Sequence, residues 1–80
     1  MRGRVELIAG VLRICRKPAT RHQVIVKNNM SFDQFSQYSE LLMEIGLLDK
    51  QGKRYETSET GIEFLQDYAR LEQQIARCGF

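Results

Sequence analysis

The side chains in this chain that could do chemistry are few, and their spacing argues against most of it. Glu40 and Glu44 stand one helical turn apart, but no partner base, nucleophile or apolar cleft accompanies them, so acid–base catalysis lacks its parts. His22 is the only histidine. With Cys15 on the inner face of another helix and no third ligand near, a metal centre is not expected. The two cysteines, Cys15 and Cys78, make no disulfide framework in 80 residues, and a buried free thiol behaves as a small hydrophobe. A Cys78–Cys78 crosslink would require two copies paired in parallel. No enzyme, cofactor, metal or small-molecule ligand is therefore expected, and what remains is charge.

That charge is a mosaic. Residues 1–27 hold seven basic side chains (Arg2, Arg4, Arg13, Arg16, Lys17, Arg21 and Lys27) against Glu6 alone. Residues 28–49 carry Asp33, Glu40, Glu44 and Asp49 with no base, and Lys50, Lys53 and Arg54 follow at once. The net charge is only +2. A basic turn such as 50–54 either stays solvated or meets an anion, and its surroundings must decide which.

Those surroundings are mostly helical. Val5, Ile8, Leu12 and Cys15 share one face of a first helix expected over Arg4 to Arg16, where Lys17-Pro18 stops it. Thr20 with Gln23, and Ser31 with Gln34, are capping-box pairs that start two further helices, Arg21 to Lys27 and a longer one ended by Gly46. On the longer helix Phe35, Tyr38, Leu41, Leu42 and Ile45 are expected to face the core, with Asp33, Ser36, Gln37, Glu40, Met43 and Glu44 opposite. The roughly four-residue connector Asn28 to Ser31 has the length of a helix-turn-helix.

Beyond Gly46 the period falls toward two. Asp49-Lys50-Gln51-Gly52 suits a type I turn followed by a left-handed glycine, which predicts a two-stranded ribbon. Ser58 then caps a last helix over about Glu59 to Arg77. Along it Phe64, Tyr68, Leu71, Ile75 and Cys78 recur at alternating spacings of four and three, a heptad seam. Ile62, Leu65, Ala69 and Ala76 form a second line about 110° away by the helical period. One line can dock on the domain while the other meets a second copy of the chain, so a homodimer is expected. Eighty residues fold with a small core, and pairing would supplement it. The reading is one compact domain, residues 1–58 forming the body and 59–80 the docking and dimerisation helix. No apolar run reaches membrane-spanning length and no secretory layout opens the chain, so a soluble cytoplasmic protein is expected.

The order ααα-ββ-α is that of a winged helix-turn-helix. In wording too the chain resembles a family: the small archaeal winged-helix DNA-binding proteins and predicted transcriptional regulators that dimerise through an antiparallel coiled coil of their last helix. The resemblance rests on Asn29-Met30-Ser31-Phe32, on Tyr38, on Leu41-Leu42 with Glu44-Ile45-Gly46-Leu47-Leu48, and on Gly52-Lys53-Arg54-Tyr55 leading to Thr57-Ser58 and Gly61. It implies nucleoid-associated binding of double-stranded DNA, with the third helix presented to the major groove and the hairpin reaching adjacent backbone or minor groove. On that reading Arg21, His22, Lys50, Lys53 and Arg54 meet phosphates, Ser36, Gln37 and Glu40 face base edges, and Ser31 is counted with them among the DNA-binding residues. The third helix bears no lysine or arginine, and an acidic face is repelled by phosphate. Pairing two copies would then raise binding by doubling the basic contacts. The alternative is a protein-interaction module that uses the acidic third helix or the terminal seam.

Overall fold

The computed structural model describes residues 3–78; Met1, Arg2, Gly79 and Phe80 lie outside it. The elements run α1 (Arg4–Ile14), β1 (Ala19–Thr20), α2 (Arg21–Lys27), α3 (Phe32–Glu44), β2 (Leu48–Gln51), β3 (Arg54–Thr57) and α4 (Glu59–Arg77). Leu12, Val24, Phe35, Leu42 and Leu48 sit at the centre of the core, one or more from each of α1, α2, α3 and β2.

Local signals set the helix ends. Both capping boxes form: Gln23 N–H donates to the Thr20 hydroxyl and Gln34 N–H to that of Ser31, and each glutamine carbonyl accepts the cap's own N–H. Ser58 caps α4 by accepting from Gly61 N–H at 3.1 Å. α3 closes through Gly46 at φ 83°, with Leu47 N–H reaching the Leu42 carbonyl at 2.8 Å, the Schellman arrangement. α2 closes the same way on Asn29 at φ 50°, with Met30 N–H on the Ile25 carbonyl. α1 stops at Ile14 rather than Arg16, because Cys15 already has C-cap geometry ahead of Lys17-Pro18.

The sheet differs from the expected ribbon. It has three strands in the order β1-β3-β2, all antiparallel, with Ala19 opposite Tyr55 and Thr20 opposite Arg54. In the hairpin Lys50 faces Tyr55 and Gln51 faces Arg54, so the turn is Gly52-Lys53 and not the four residues from Asp49. Gly52, at φ 61°, takes the first central position, where a two-residue hairpin requires a positive φ.

Helix faces also shift. On α3 the buried row is Phe35, Ser39 and Leu42, with Tyr38 and Met43 packed beside it; Leu41 (41% exposed) and Ile45 (55%) face solvent, against expectation. Val5 on α1 is likewise exposed. On α4 the docking line holds at Leu65, with Ile62 half-buried, but fails at Ala69 and Ala76, which are exposed. Phe64 and Tyr68, assigned to the free seam, are half-buried against the domain core. Arg13 ties α4 down further: its guanidinium lies 5.6 Å from the Tyr68 ring centroid and 3.2 Å from the Glu72 carboxylate. The described part of α4 from Ala69 onward is exposed, leaving Leu71, Ile75 and Cys78 uncovered. None of the described helices is long and apolar enough to cross a membrane.

Candidate functional site

The cationic cleft is built outward from the core. Phe35, buried on α3, meets the Tyr55 ring edge-to-face with centroids 5.2 Å apart, which fixes Tyr55 on the central strand. Tyr55 in turn carries the Lys50 ammonium 5.5 Å from its centroid, so Lys50 is held on the ribbon's flat and not at its tip. Across from it stands the start of α2, placed by the pairing of β1 with β3 and by the Thr20–Gln23 capping box. The gap between is a cleft of about 380 Å³ lined by Thr20, Arg21, His22, Lys50, Gly52, Lys53 and Tyr55.

Four of the expected backbone-contacting residues, Arg21, His22, Lys50 and Lys53, thus converge on one cavity, and no carboxylate lines it. Arg21 is steadied from outside by Phe32, its guanidinium 4.8 Å from that exposed ring. Arg54 is exposed beside the turn, between Gln51 and Thr20 in the ladder, without lining the cleft. Such a site suits a phosphate: basic side chains around a concavity, with no competing anion in its wall.

The α3 residues expected at base edges do not join it. Gln37 and Glu40 are exposed, and Ser36 is half-buried with its carbonyl accepting from the Ser39 hydroxyl at 3.2 Å. The Ser31 hydroxyl is engaged as the α3 cap. Thr20, Gly52 and Tyr55 were missed as lining residues. Gly52 carried a readable signal as a turn glycine, whereas the other two depend on the β1–β3 pairing.

The two thiols lie apart from the cleft. Cys15 is fully buried, and burial pushes its thiol up to about 11, keeping it protonated. Cys78 is exposed and free. Among the described residues no cluster of three or more histidine, cysteine or carboxylate side chains could hold a metal ion.

Three helices, a three-stranded sheet whose β2–β3 hairpin projects as a wing, and a long closing helix define a winged helix-turn-helix protein. The chain matches the winged helix-turn-helix family model over residues 1–76 and belongs to that family. Its fold is similar to the crystal structure of Sso10a-2, a DNA-binding protein from Sulfolobus solfataricus, with a TM-score of 0.76 and 20% identity over 96% of this chain and 88% of that one. Among curated proteins no sequence matches.

Proposed function

We propose that the protein binds double-stranded DNA as a homodimer and acts as a transcriptional regulator or an architectural component of the nucleoid. The observation that carries this is the cleft, where Arg21, His22, Lys50 and Lys53 converge without a carboxylate. In this reading the cleft takes a backbone phosphate, Arg54 meets the strand beside it, and the solved DNA-binding protein of like fold supports the choice of polyanion. Leu71, Ile75 and Cys78 form the pairing seam, extended by the exposed parts of Phe64 and Tyr68. Pairing sets two clefts on one particle and raises the effective concentration of the second contact once the first has formed.

Fluorescence anisotropy on a labelled duplex tests the reading. Affinity should drop on the order of a hundredfold or more between about 50 and 200 mM salt, because each neutralised phosphate releases condensed counterions. Absence of binding at the lower salt refutes it.

One observation favours a second reading. Leu41 and Ile45 are exposed on α3 beside Glu40 and Glu44, an amphipathic acidic surface suited to a protein partner. Reversing charge at Lys53 and Arg54 separates the two functions, since it should abolish DNA binding and leave capture of a protein partner intact.

A further inference from the structure

A second cationic groove lies behind α2. It has a volume of about 490 Å³, and its charged and polar walls are Arg16 and Lys17 from the loop after α1, with Gln23 and Lys27 from α2. Arg13 also lines it but is engaged by Glu72 and Tyr68. Arg16, Lys17 and Lys27 are exposed, and among the described residues none has a carboxylate within ion-pair distance. No acidic side chain lines the groove.

Its position relative to the wing cleft is set by helix geometry. At 100° per residue, the mean direction of Arg21 and His22 around α2 lies roughly 170° from that of Gln23 and Lys27, individual pairs being about 100–160° apart. The two cationic sites therefore flank opposite sides of one helix, and Val26, 61% exposed, crowns the ridge between them. An α-helix with its side chains is about 10–12 Å across and the major groove of B-DNA about 12 Å wide. Sites separated by one helix diameter match the two phosphate backbones that border a major groove. α3 offers no such pairing, because its exposed face carries Asp33, Glu40 and Glu44 and no cation.

We propose that the groove of Arg16, Lys17, Gln23 and Lys27 binds the second phosphate backbone of the same duplex, so that α2, and not α3, lies along the major groove with Val26 at its crest. This rests on the DNA-binding reading above. It departs from the arrangement that the family resemblance implies, and it leaves the acidic α3 surface facing away from phosphate.

The test is the triple variant R16Q/K17Q/K27Q on the full chain, with the duplex titration repeated over a range of salt. Loss of three phosphate contacts per protomer should lower the salt slope by about 2–3 for each protomer on the DNA, about 5 for a dimer with both engaged, and weaken binding at low salt by on the order of a hundredfold or more. In parallel, an iron-chelate cleavage reagent tethered at Val26→Cys or Gln37→Cys, each in a Cys78→Ser background, reports which helix lies in the groove. Cleavage of both strands from position 26 supports the proposal. If the unmutated protein binds DNA and the triple variant keeps its affinity and slope, or if cleavage comes from position 37 and not from 26, the proposal is overturned while DNA binding stands. Failure of the unmutated protein to bind overturns both.

Discussion

Ile75→Glu should turn a weak dimer into a monomer, and the size of the effect follows from how little α4 covers itself. Leu71 is 52% and Ile75 43% exposed in the single chain. Full burial of such a side chain yields about 1.5–3 kcal/mol, so covering the exposed half returns roughly 1 kcal/mol each. A two-fold seam counts every position twice, giving about 4 kcal/mol from four side chains before Cys78 and the rims of Phe64 and Tyr68 contribute. Association costs at least about 4 kcal/mol in lost rigid-body freedom, so these four side chains only offset that cost; Cys78 and the rims of Phe64 and Tyr68 must supply the net affinity, and the dimer is millimolar or weaker. Ile75→Glu removes about 2 kcal/mol of that gain and places two carboxylates in the seam, so dissociation should strengthen well beyond tenfold. The site is exposed in the monomer, and the fold should survive. Sedimentation equilibrium from about 0.1 to 5 mM spans the millimolar midpoint that so small a seam allows. An unmutated protein that stays monomeric at the upper concentration, or a variant with the same mass distribution as the parent, would refute the seam argument.

Three predictions concern the body of the fold. A Cβ at Gly10 would run into the Asn28 side chain, whose amide is buried and donates to the Leu7 carbonyl at 3.1 Å, so Gly10→Ala should cost about 1–3 kcal/mol in urea unfolding; an unchanged midpoint would contradict it. Thr57→Val keeps shape but removes the hydroxyl that donates to the Leu12 carbonyl at 2.6 Å, leaving a helix-end acceptor short of a partner at about 1–3 kcal/mol, readable as a lower Tm. Burial raises the Cys15 thiol from 9.0 to about 11, so the stability tied to its neutral form is complete below pH 9 and is lost as pH rises through 11, about 2–3 kcal/mol in all. Cys15→Ala should lack that segment of the alkaline unfolding profile, and identical profiles would show that the thiol plays no part.

The elements legible in the sequence were those decided within a few residues. Thr20/Gln23, Ser31/Gln34, Ser58 and Gly46 mark helix ends through bonds that reach only three to five positions, and each does so in the fold. What was illegible depended on distant partners. β1 is two residues long, too short for any period, and exists only because Tyr55 and Arg54 pair with it. The hairpin turn lay two residues further on, since a glycine after three turn-compatible residues can either end one turn type or begin another. Cross-strand register decides between them: it puts Tyr55 against Phe35. On α3, hydropathy favoured burying Leu41, but the buried row runs through Ser39, whose hydroxyl is satisfied by the Ser36 carbonyl within the helix. The same dependence governs the cleft. Its cations could be named from the sequence, but their convergence could not, because it requires the β1 pairing.

The wing is fixed at its base and open at its tip, and that asymmetry follows from two adjacent residues. Thr57 ends β3 and gives both of its donors to the end of α1, its N–H to the Cys15 carbonyl at 2.8 Å and its hydroxyl to Leu12. Two carbonyls that a helix terminus leaves unpaired are thereby satisfied by the strand. Ser58 does the same for the other side, its N–H on the Leu47 carbonyl at 3.0 Å and its hydroxyl on Gly46 at 2.6 Å, while also capping α4. α1, the α3–β2 turn and α4 are thus locked to one dipeptide. Gly61 completes the joint, because a Cβ there would meet the Leu47 carbonyl and the Thr57 methyl, so α4 can approach this closely only at glycine. Lys53 lies exposed at the far end of the hairpin, whereas Lys50, also exposed, sets its ammonium 5.5 Å from the Tyr55 ring centroid nearer the core. The cleft therefore combines two cations packed on rings, Arg21 on Phe32 and Lys50 on Tyr55, with Lys53 at the open tip. α4, which carries the proposed dimer seam, starts from the same joint, so pairing two chains through it would fix how far apart the two wings stand.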